Sequence, residues 1–246
     1  MSGQTINSRP RSARLADAPA LGERPHAPFA LSWSGGKDSA LVLWTLRRQL
    51  LEPEALITTV TVTETYERIS MHGVRRELLA RQAEVLGIPL VEVVIPPDCV
   101  NEMYDARMAE AFATAPLPGV EMVAFGDLFL EDVRAYREGR LAAAGKRGLF
   151  PLWGHDTADL AREFLDAGFE ATLVCVDPRA LDPAFCGRRY NERLLAELPP
   201  DVDPCGENGE FHTFVSGGPI FAEPIACERG ELIERDGFVF CDLTSA

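Results

Sequence analysis

Lysine is nearly absent from this chain of 246 residues, in which arginine supplies almost all of the basic side chains. Only Lys37 and Lys146 occur among 24 basic residues, against 38 acidic ones, and the formal net charge is −14. This balance argues against a protein that mainly binds a nucleic-acid backbone, because such binding relies on basic side chains that neutralise phosphates. The scarcity also singles out Lys37, since lysine is a compact point charge that suits a phosphate oxygen in a cramped site.

The sequence also has no zinc-type cysteine pattern, no long apolar run and no apolar segment typical of a signal peptide. The six cysteines form no C-x-x-C pair and have no histidine at the spacing of structural zinc sites, which favours reduced thiols in a cytoplasmic protein. No apolar run reaches about 18 residues, so we expect no membrane partner. Residues 1–27 lack the apolar segment of a signal peptide, and we expect a disordered leader there, with an organelle transit peptide as the alternative.

From Phe29 onward, short apolar runs alternate with helical periods, which predicts βαβ units around a largely parallel sheet. Strands are expected at 29–33, 55–62, 90–95 and 121–125, with helices at about 38–49, 74–86 and 101–113. Ligands of such sheets bind at the carboxyl ends of the strands. The loops that follow these four strands should therefore surround one cleft.

The pattern changes after Asp127. Helices are expected near 131–144 and 157–167, with strands near 171–176, 211–215 and 238–243. We therefore predict an α/β protein with one domain at 28–128 and a smaller α/β domain at 129–246.

The segment Ser34-Gly35-Gly36-Lys37-Asp38-Ser39, called here the phosphate loop, lies between the first strand and the first helix. Glycines let the backbone approach a ligand, and the start of a helix offers unpaired N–H groups and a positive dipole end. A Walker loop is excluded, because that motif has a second glycine five positions earlier and places Ser or Thr after the lysine. Asp38 is a candidate helix cap or a candidate Mg²⁺ ligand.

This loop resembles the S-G-G-x-D-S signature of the PP-loop ATP pyrophosphatases, which cleave ATP between the α and β phosphates. The resemblance implies a Rossmann-like, HUP-type domain whose loop holds the β and γ phosphates while the AMP portion activates a carbonyl or carboxylate oxygen. ATP and Mg²⁺ are the implied cofactors. The expected ATP-binding residues are Ser32, Ser34, Gly35, Gly36, Lys37, Asp38, Ser39, His72 and Gly126. For His72, a plain helix-start histidine is an equal alternative.

Three later stretches resemble segments of the diphthine–ammonia ligase family: Ala124 to Arg137 (AFGDLFLEDVRAYR), Pro151 to Asp156 (PLWGHD) and Cys205 to Phe214 (CGENGEFHTF). The resemblance implies an AMP-forming ligase that joins ammonia or an amine to a carboxylate, which in that family belongs to diphthine, a modified histidine of an elongation factor. The expected substrate-binding residues are Asp132, Arg137, Gly206, Glu207, Asn208, Gly209 and Glu210. The expected catalytic residues are Lys37, Asp38, Asp127, Glu207, Glu210 and His212.

The last motif departs from the family pattern at Asn208, where the family has glycine, and at His212, where it has glutamate. The carboxylate partner therefore stays open between a small molecule and a modified protein side chain. Glu207 and Glu210 suit an ammonium ion, and His212 is expected to titrate near pH 7 and accept its proton. The alternative is a polar β-turn that only joins two strands.

Two other functions stay open. One is a PP-loop enzyme that modifies tRNA, although the chain shows neither a sulfur-relay cysteine pair nor a basic face. The other is a nucleotide-binding protein without catalysis. A homo-oligomer is compatible with the sequence but not required by it.

Overall fold

The computed structural model describes residues 27–62, 67–69, 73–97, 99–114 and 116–246. The expected leader, except for residue 27, and the candidate His72 lie outside the described residues. The strands are β1 (Phe29–Ser32), β2 (Ala55–Val62), β3 (Glu67–Ile69), β4 (Leu90–Ile95), β5 (Met122–Ala124), β6 (Arg147–Leu149), β7 (Glu170–Val176), β8 (Arg189–Tyr190), β9 (Phe211–Gly217), β10 (Cys227–Arg235) and β11 (Phe238–Ser245). The helices are α1 (Lys37–Arg48), α2 (Arg76–Leu86), α3 (Asn101–Phe112), α4 (Glu131–Ala143), α5 (Thr157–Asp166) and α6 (Glu192–Glu197).

The first sheet has five parallel strands in the order β4-β2-β1-β5-β6. Strand β3 pairs antiparallel with the carboxyl end of β2. The chain leaves β1 on one side to form β2 and returns on the other side to form β5, so a crevice opens at the carboxyl ends of β1 and β5. The predicted parallel α/β fold is confirmed, while a cleft surrounded by the loops after all four strands stays a prediction.

The second sheet is antiparallel, with the order β10-β11-β7-β8 and with β9 also paired to β7. The helices α5 and α6 belong to the same part of the chain. Strand β6, at 147–149, is an edge strand of the first sheet and not part of the second. We therefore propose that the boundary between an N-terminal and a C-terminal unit follows residue 149, later than the expected position near residue 128.

One cluster of buried apolar side chains runs through both units. It includes Leu31 and Leu41 from β1 and α1, and Phe211 and Phe214 from β9, all at most 2% exposed. Burying side chains of this size is the main favourable term in packing two elements together. The core therefore holds β9 of the C-terminal unit against the first helix of the N-terminal unit.

All six cysteines lie in the described part of the chain, and each is a free thiol. Four of them are buried, while Cys99 and Cys227 are partly exposed. The expectation of reduced, mostly buried thiols is confirmed. Among the described residues, no helix combines the length and apolar character that crossing a membrane requires.

Candidate active site

Both glycines of the phosphate loop are packed against protein atoms. Gly35 has φ +76°, and a Cβ atom there would lie 2.7 Å from Oε1 of Gln82. A Cβ atom on Gly36 would lie 3.0 Å from the backbone oxygen of Thr213. Other residues have neither the conformational freedom nor the small size that these positions need. The loop is thus confined between α2 and β9.

The first turn of α1 begins directly at Lys37. Gly36 occupies the N-cap position without a side-chain cap, and Asp38 lies inside the helix, so the alternative that Asp38 caps it is wrong. The hydroxyl of Ser39 donates to the backbone oxygen of Gly36 at 2.9 Å, and the N–H of Gly36 donates to Oγ of Ser34 at 3.3 Å. These serines shape the loop from within.

Lys37 is buried and charged. Its side chain is 2% exposed, and Nζ donates to the two carboxylate oxygens of Asp38 at 2.7 and 2.8 Å. Burial alone would lower the pKa of Lys37, but attraction by Asp38, Cys205 and Glu207 raises it overall. An ammonium group is therefore fixed at the start of α1. The positive end of the helix dipole lies at the same place, so both favour the binding of an anion.

The loop after β5 touches the start of α1. A Cβ atom on Gly126 would lie 2.9 Å from Cβ of Asp38, so glycine is required for this close approach. The next residue, Asp127, forms an ion pair with Arg137, whose Nε lies 2.7 Å from Oδ2. Asp132, by contrast, is exposed in the first turn of α4.

A cavity of about 480 Å³ opens at the carboxyl ends of β1 and β5 beside the middle of β2 and extends between α3 and α4. Its lining includes Ser32, Ser34, Thr58, Tyr104, Phe125 and Arg137. The guanidinium of Arg137 lies 4.6 Å from the centre of the Phe125 ring. The cavity begins at the phosphate loop and is walled by apolar and hydrogen-bonding groups, as small-molecule sites commonly are.

Residues 203–210, called here the glutamate turn, lie over these loops. Oε1 of Glu207 accepts a hydrogen bond from the backbone N–H of Leu128 at 2.7 Å. Burial raises the pKa of Glu207 to about 7, with a further contribution from the negative charge of Asp38, while the bond from Leu128 opposes the rise. Glu207 can therefore gain or lose a proton near neutral pH.

Glu210 has a different environment. It is 4% exposed, and its Oε1 accepts hydrogen bonds from the backbone N–H of Asp203 at 2.9 Å and from Nδ2 of Asn208 at 3.0 Å. Gly206 and Gly209 adopt φ values of +70° and +89°. These two hydrogen bonds and two glycine conformations shape the turn. Glu210 and Asn208 therefore help to hold the turn in its conformation.

Asp203 was not among the expected residues, yet it organises the same turn. Its Oδ1 accepts from the N–H groups of Cys205 and Glu207 at 2.9 and 3.2 Å, and its Oδ2 accepts from the hydroxyl of Thr157 at 2.6 Å. The bond to the residue two positions later is that of an Asx turn. The sequence Asp203-Pro204-Cys205-Gly206 carries this signal.

His212 lies on β9, partly exposed at its surface. Burial and the neighbouring positive charge of Lys37 lower its pKa to about 4. The expectation that His212 titrates near pH 7 is therefore wrong, because its imidazolium form would lose part of its hydration and lie near the positive charge of Lys37. Glu207 is the group of this motif that titrates near neutrality.

Gln82 and Thr213 were also not identified from the sequence. The backbone N–H of Lys37 donates to Oγ1 of Thr213 at 3.0 Å, and Nε2 of Gln82 donates to the backbone oxygen of Gly35 at 3.1 Å. Gln82 lies on the buried face of α2 with Leu78, Leu79 and Ala83. Its position as a polar residue on an otherwise apolar helix face is the sequence signal that could have identified Gln82.

Comparison with known proteins agrees with this arrangement. A family model described as the diphthamide synthase N-terminal domain matches residues 28–142, and one described as the diphthamide synthase C-terminal domain matches residues 156–243. The chain belongs to the diphthamide synthase family. The resemblance read from the motifs, to a diphthine–ammonia ligase-like PP-loop family, is confirmed.

Individual relatives of this diphthamide synthase family member are distant. The diphthine–ammonia ligase of Schizosaccharomyces pombe is 25% identical over 227 residues, which cover 85% of this chain and 38% of that protein. The human diphthine–ammonia ligase is 29% identical over 126 residues, or 49% of this chain and 47% of that protein. The matches therefore span less than half the length of these relatives.

Among solved structures, a predicted subunit of tRNA methyltransferase from Methanocaldococcus jannaschii aligns with a TM-score of 0.40 and 17% identity. The alignment covers 80% of this chain and all of that one.

Among the described residues, no group of three or more His, Cys, Asp or Glu side chains is placed for a metal ion. Both carboxylate oxygens of Asp38 are engaged by Lys37. Mg²⁺ commonly binds through one or two carboxylates together with substrate phosphates. The donor set thus fits a Mg²⁺ ion that arrives on ATP better than one that the protein holds alone.

Proposed function

We propose that this protein is an ATP-dependent ligase. It transfers the adenylyl group of ATP to a carboxylate, releases pyrophosphate, and then forms an amide with ammonia or an amine while AMP leaves. The observation that carries this proposal is the convergence of a buried ammonium group, Lys37, with a carboxyl group that titrates near pH 7, Glu207. They lie on different units, and Glu207 is fixed by Leu128, two residues after Gly126, which touches α1.

In the first step, a carboxylate oxygen of the substrate attacks the α phosphorus of MgATP. The bond between the α phosphorus and the oxygen that bridges to the β phosphorus breaks, and pyrophosphate leaves with the electron pair. Negative charge grows on the leaving group, where Lys37 and the N–H groups of the first turn of α1 stabilise it. Asp38 would be the protein ligand of a Mg²⁺ ion bound to ATP if one of its oxygens turned from Lys37 to the metal, and such an ion would neutralise further charge on the phosphates.

In the second step, ammonia attacks the carbonyl carbon of the acyl adenylate. The nitrogen loses a proton as AMP departs, and Glu207 is the group we assign to accept it, because a base works best when its pKa is near the working pH. Asp38 and Asp127 are paired with Lys37 and Arg137, so Glu207 in its ionised form is the carboxylate of the site that can attract ammonium.

The cavity at the carboxyl ends of β1 and β5 is the proposed nucleoside site. Its walls combine the apolar rings of Phe112 and Phe125 with the polar groups of Ser32 and Thr58. It adjoins the phosphate loop at Ser34. A nucleoside here would direct its phosphates toward Lys37.

The names of the relatives suggest diphthine as the carboxylate and ammonia as the amine. The departures at Asn208 and His212 lie in the glutamate turn and β9, beside the proposed reaction centre. We therefore propose the carboxylate as the reacting group and treat diphthine as the first substrate to test.

An isotope experiment tests the reaction. The protein is incubated with MgATP, ammonium and a candidate acid whose carboxylate carries ¹⁸O, first a diphthine-bearing protein and then a panel of small acids. The expected result is AMP and pyrophosphate in equal amounts, with one ¹⁸O atom in each AMP. Lys37→Met should abolish both products.

The outcome also separates the alternatives. Formation of ADP and phosphate would rule out adenylyl transfer. Tight ATP binding without AMP formation across the whole panel would favour a nucleotide-binding protein without catalysis. A salt-dependent shift of added tRNA would instead favour tRNA modification.

A further inference from the structure

Strand β9 is joined to the phosphate loop by hydrogen bonds at two of its residues. The backbone N–H of Val215 donates to the oxygen of Gly35 at 2.9 Å, and Oγ1 of Thr213 accepts from the N–H of Lys37 at 3.0 Å. The same strand begins at Phe211, immediately after the glutamate turn. Strand β9 thus connects the phosphate loop to the glutamate turn.

Gln82 completes this assembly from the opposite side. Its side-chain nitrogen donates to the backbone oxygens of Gly35 at 3.1 Å and Val215 at 2.6 Å. Its side-chain oxygen accepts from the indole N–H of Trp33 at 2.9 Å. The amide is 0% exposed, and both of its donors and its acceptor are used, so its position is fully determined.

We propose that Gln82 and Thr213 are positioning residues that hold the phosphate loop in the shape required by the triphosphate of ATP. Gln82 fixes Gly35 at one end of the loop, and Thr213 fixes the first N–H of α1 at the other. This inference rests on the proposed function, because it takes the loop to be the site of the β and γ phosphates.

The consequence for binding is specific to the phosphates. The direction of the Lys37 ammonium and of the free N–H groups of α1 depends on the backbone at Gly35 and Gly36. The proposed nucleoside cavity is walled mainly by β1, β2, α3 and α4, and neither Gln82 nor Thr213 lines it. Gln82 reaches the cavity only through its hydrogen bond from Trp33, whereas within the described part of the chain Thr213 has no such link. Loosening the loop should weaken ATP binding and leave adenosine binding unchanged.

The experiment compares Gln82→Leu, Thr213→Val and Thr213→Ser with the unaltered protein. Calorimetry measures binding of α,β-methylene-ATP with Mg²⁺, and separately of adenosine. We expect Gln82→Leu and Thr213→Val to weaken binding of the ATP analogue by about tenfold, since each removes hydrogen bonds between buried groups. Adenosine binding should stay within about twofold, and Thr213→Ser should restore binding because it keeps the hydroxyl.

Thr45→Val is the matched control. Thr45 is also buried, at 6% exposure, and its hydroxyl finds no hydrogen-bond partner within the described residues. It lies on α1, outside the loop contacts. This variant loses the same atoms as Thr213→Val and should bind both ligands as the unaltered protein does.

Each outcome decides the inference. Equal analogue binding by the unaltered protein, Gln82→Leu and Thr213→Val overturns the positioning role and leaves the proposed function intact. A parallel loss of analogue and adenosine binding means that the two residues only support the fold, which also overturns it. If Gln82→Leu does not fold, the pair Thr213→Val and Thr213→Ser decides. If the unaltered protein binds adenosine but gains nothing from the triphosphate, the proposed function and this inference both fail.

Discussion

Glu207 of the C-terminal unit accepts a hydrogen bond of 2.7 Å from the backbone N–H of Leu128, which belongs to the loop after β5 of the N-terminal unit. This contact brings the carboxyl group to the proposed reaction centre and takes it out of water. A charged carboxylate is disfavoured there, because one hydrogen bond and a distant cation replace only part of its hydration. The properties of Glu207 follow from this position.

Replacing Glu207 by glutamine should change how stability depends on pH. The pKa of Glu207 in the folded chain is about 7, above its ordinary value of 4.5. A raised pKa adds stability below about pH 4.5, and this contribution is lost as the pH rises to 7. Thermal unfolding between pH 4.5 and 7.5 should therefore show a smaller loss of stability in Glu207→Gln. Parallel curves for the two proteins would contradict the assignment.

The same substitution should slow the proposed amide formation by about 100-fold, because general-base catalysis commonly contributes this much. Pyrophosphate release in the first step should be less affected. Single-turnover measurements of pyrophosphate and amide separate the two steps. An equal loss in both would place Glu207 in adenylyl transfer.

His212 should remain neutral throughout the range in which Glu207 titrates. Burial and the charge of Lys37 lower its pKa to about 4. A lowered histidine pKa contributes stability that is present above the ordinary value of 6.5 and lost as the pH falls toward 4. Nuclear magnetic resonance of the imidazole carbons should show no protonation between pH 8 and 5. A midpoint near 6.5 would contradict the surroundings described for this side chain.

Substituting Gly126 by alanine should disturb the phosphate loop. The new Cβ atom would lie 2.9 Å from Cβ of Asp38 and 3.2 Å from the backbone N of Ser39. Overpacking of this kind lowers the free energy of unfolding by about 1–3 kcal/mol, and ATP binding should weaken as the first turn of α1 shifts. Chemical denaturation and calorimetry measure the two effects.

Gly139→Ala is the control for that substitution. Gly139 lies on the exposed face of α4, where an added Cβ atom meets nothing within 4 Å. Alanine in a helix interior should raise the free energy of unfolding by about 0.5–1 kcal/mol, and ATP binding should not change. Equal ATP binding by both variants would show that contact between Gly126 and Asp38 is not needed for the site.

Replacing Asp203 by alanine should loosen the glutamate turn. The N–H groups of Cys205 and Glu207 and the hydroxyl of Thr157 would lose their acceptor, which costs about 2 kcal/mol in the free energy of unfolding. Amide formation should fall because Glu207 is no longer fixed at Leu128.

Asp156→Ala provides the comparison. Asp156 caps α5 by accepting from the N–H of Asp159 at 3.0 Å, and its loss should cost about 1 kcal/mol of stability. If amide formation falls equally in both variants, stability and not the turn would explain the effect of Asp203→Ala.

The strands and helices with strong periodic patterns were predictable. Strands β1 and β2 are largely buried, β4 is an apolar run interrupted by Glu92, and the motif between β1 and α1 identified the phosphate loop. Strand β10 was not predicted, because both of its faces are largely exposed and its sequence has no alternation of apolar and polar residues. Strand β6 has only three residues, too few for a pattern.

The sequence proposed Lys37 from its loop motif and Asp127 and Glu207 from the resemblance to a family, and their roles stay predictions. Gln82 and Thr213 could not be found in this way, because their roles depend on contacts across 47 and 176 positions of the chain. The pKa of His212 could not be predicted either, since it depends on burial and on a lysine distant in sequence. Residue types indicate the chemistry, while long-range packing decides which residues perform it.

The shared core has a consequence for how the molecule unfolds. Phe211 and Phe214 of the C-terminal unit are buried in the same cluster as Leu31 and Leu41 of the N-terminal unit. Separating the units would expose these side chains and break the hydrogen bonds between β9 and the phosphate loop at the same time. The two units should therefore unfold together in one cooperative transition. A ligand bound at the phosphate loop should then stabilise the sheet of the C-terminal unit as much as the sheet of the N-terminal unit.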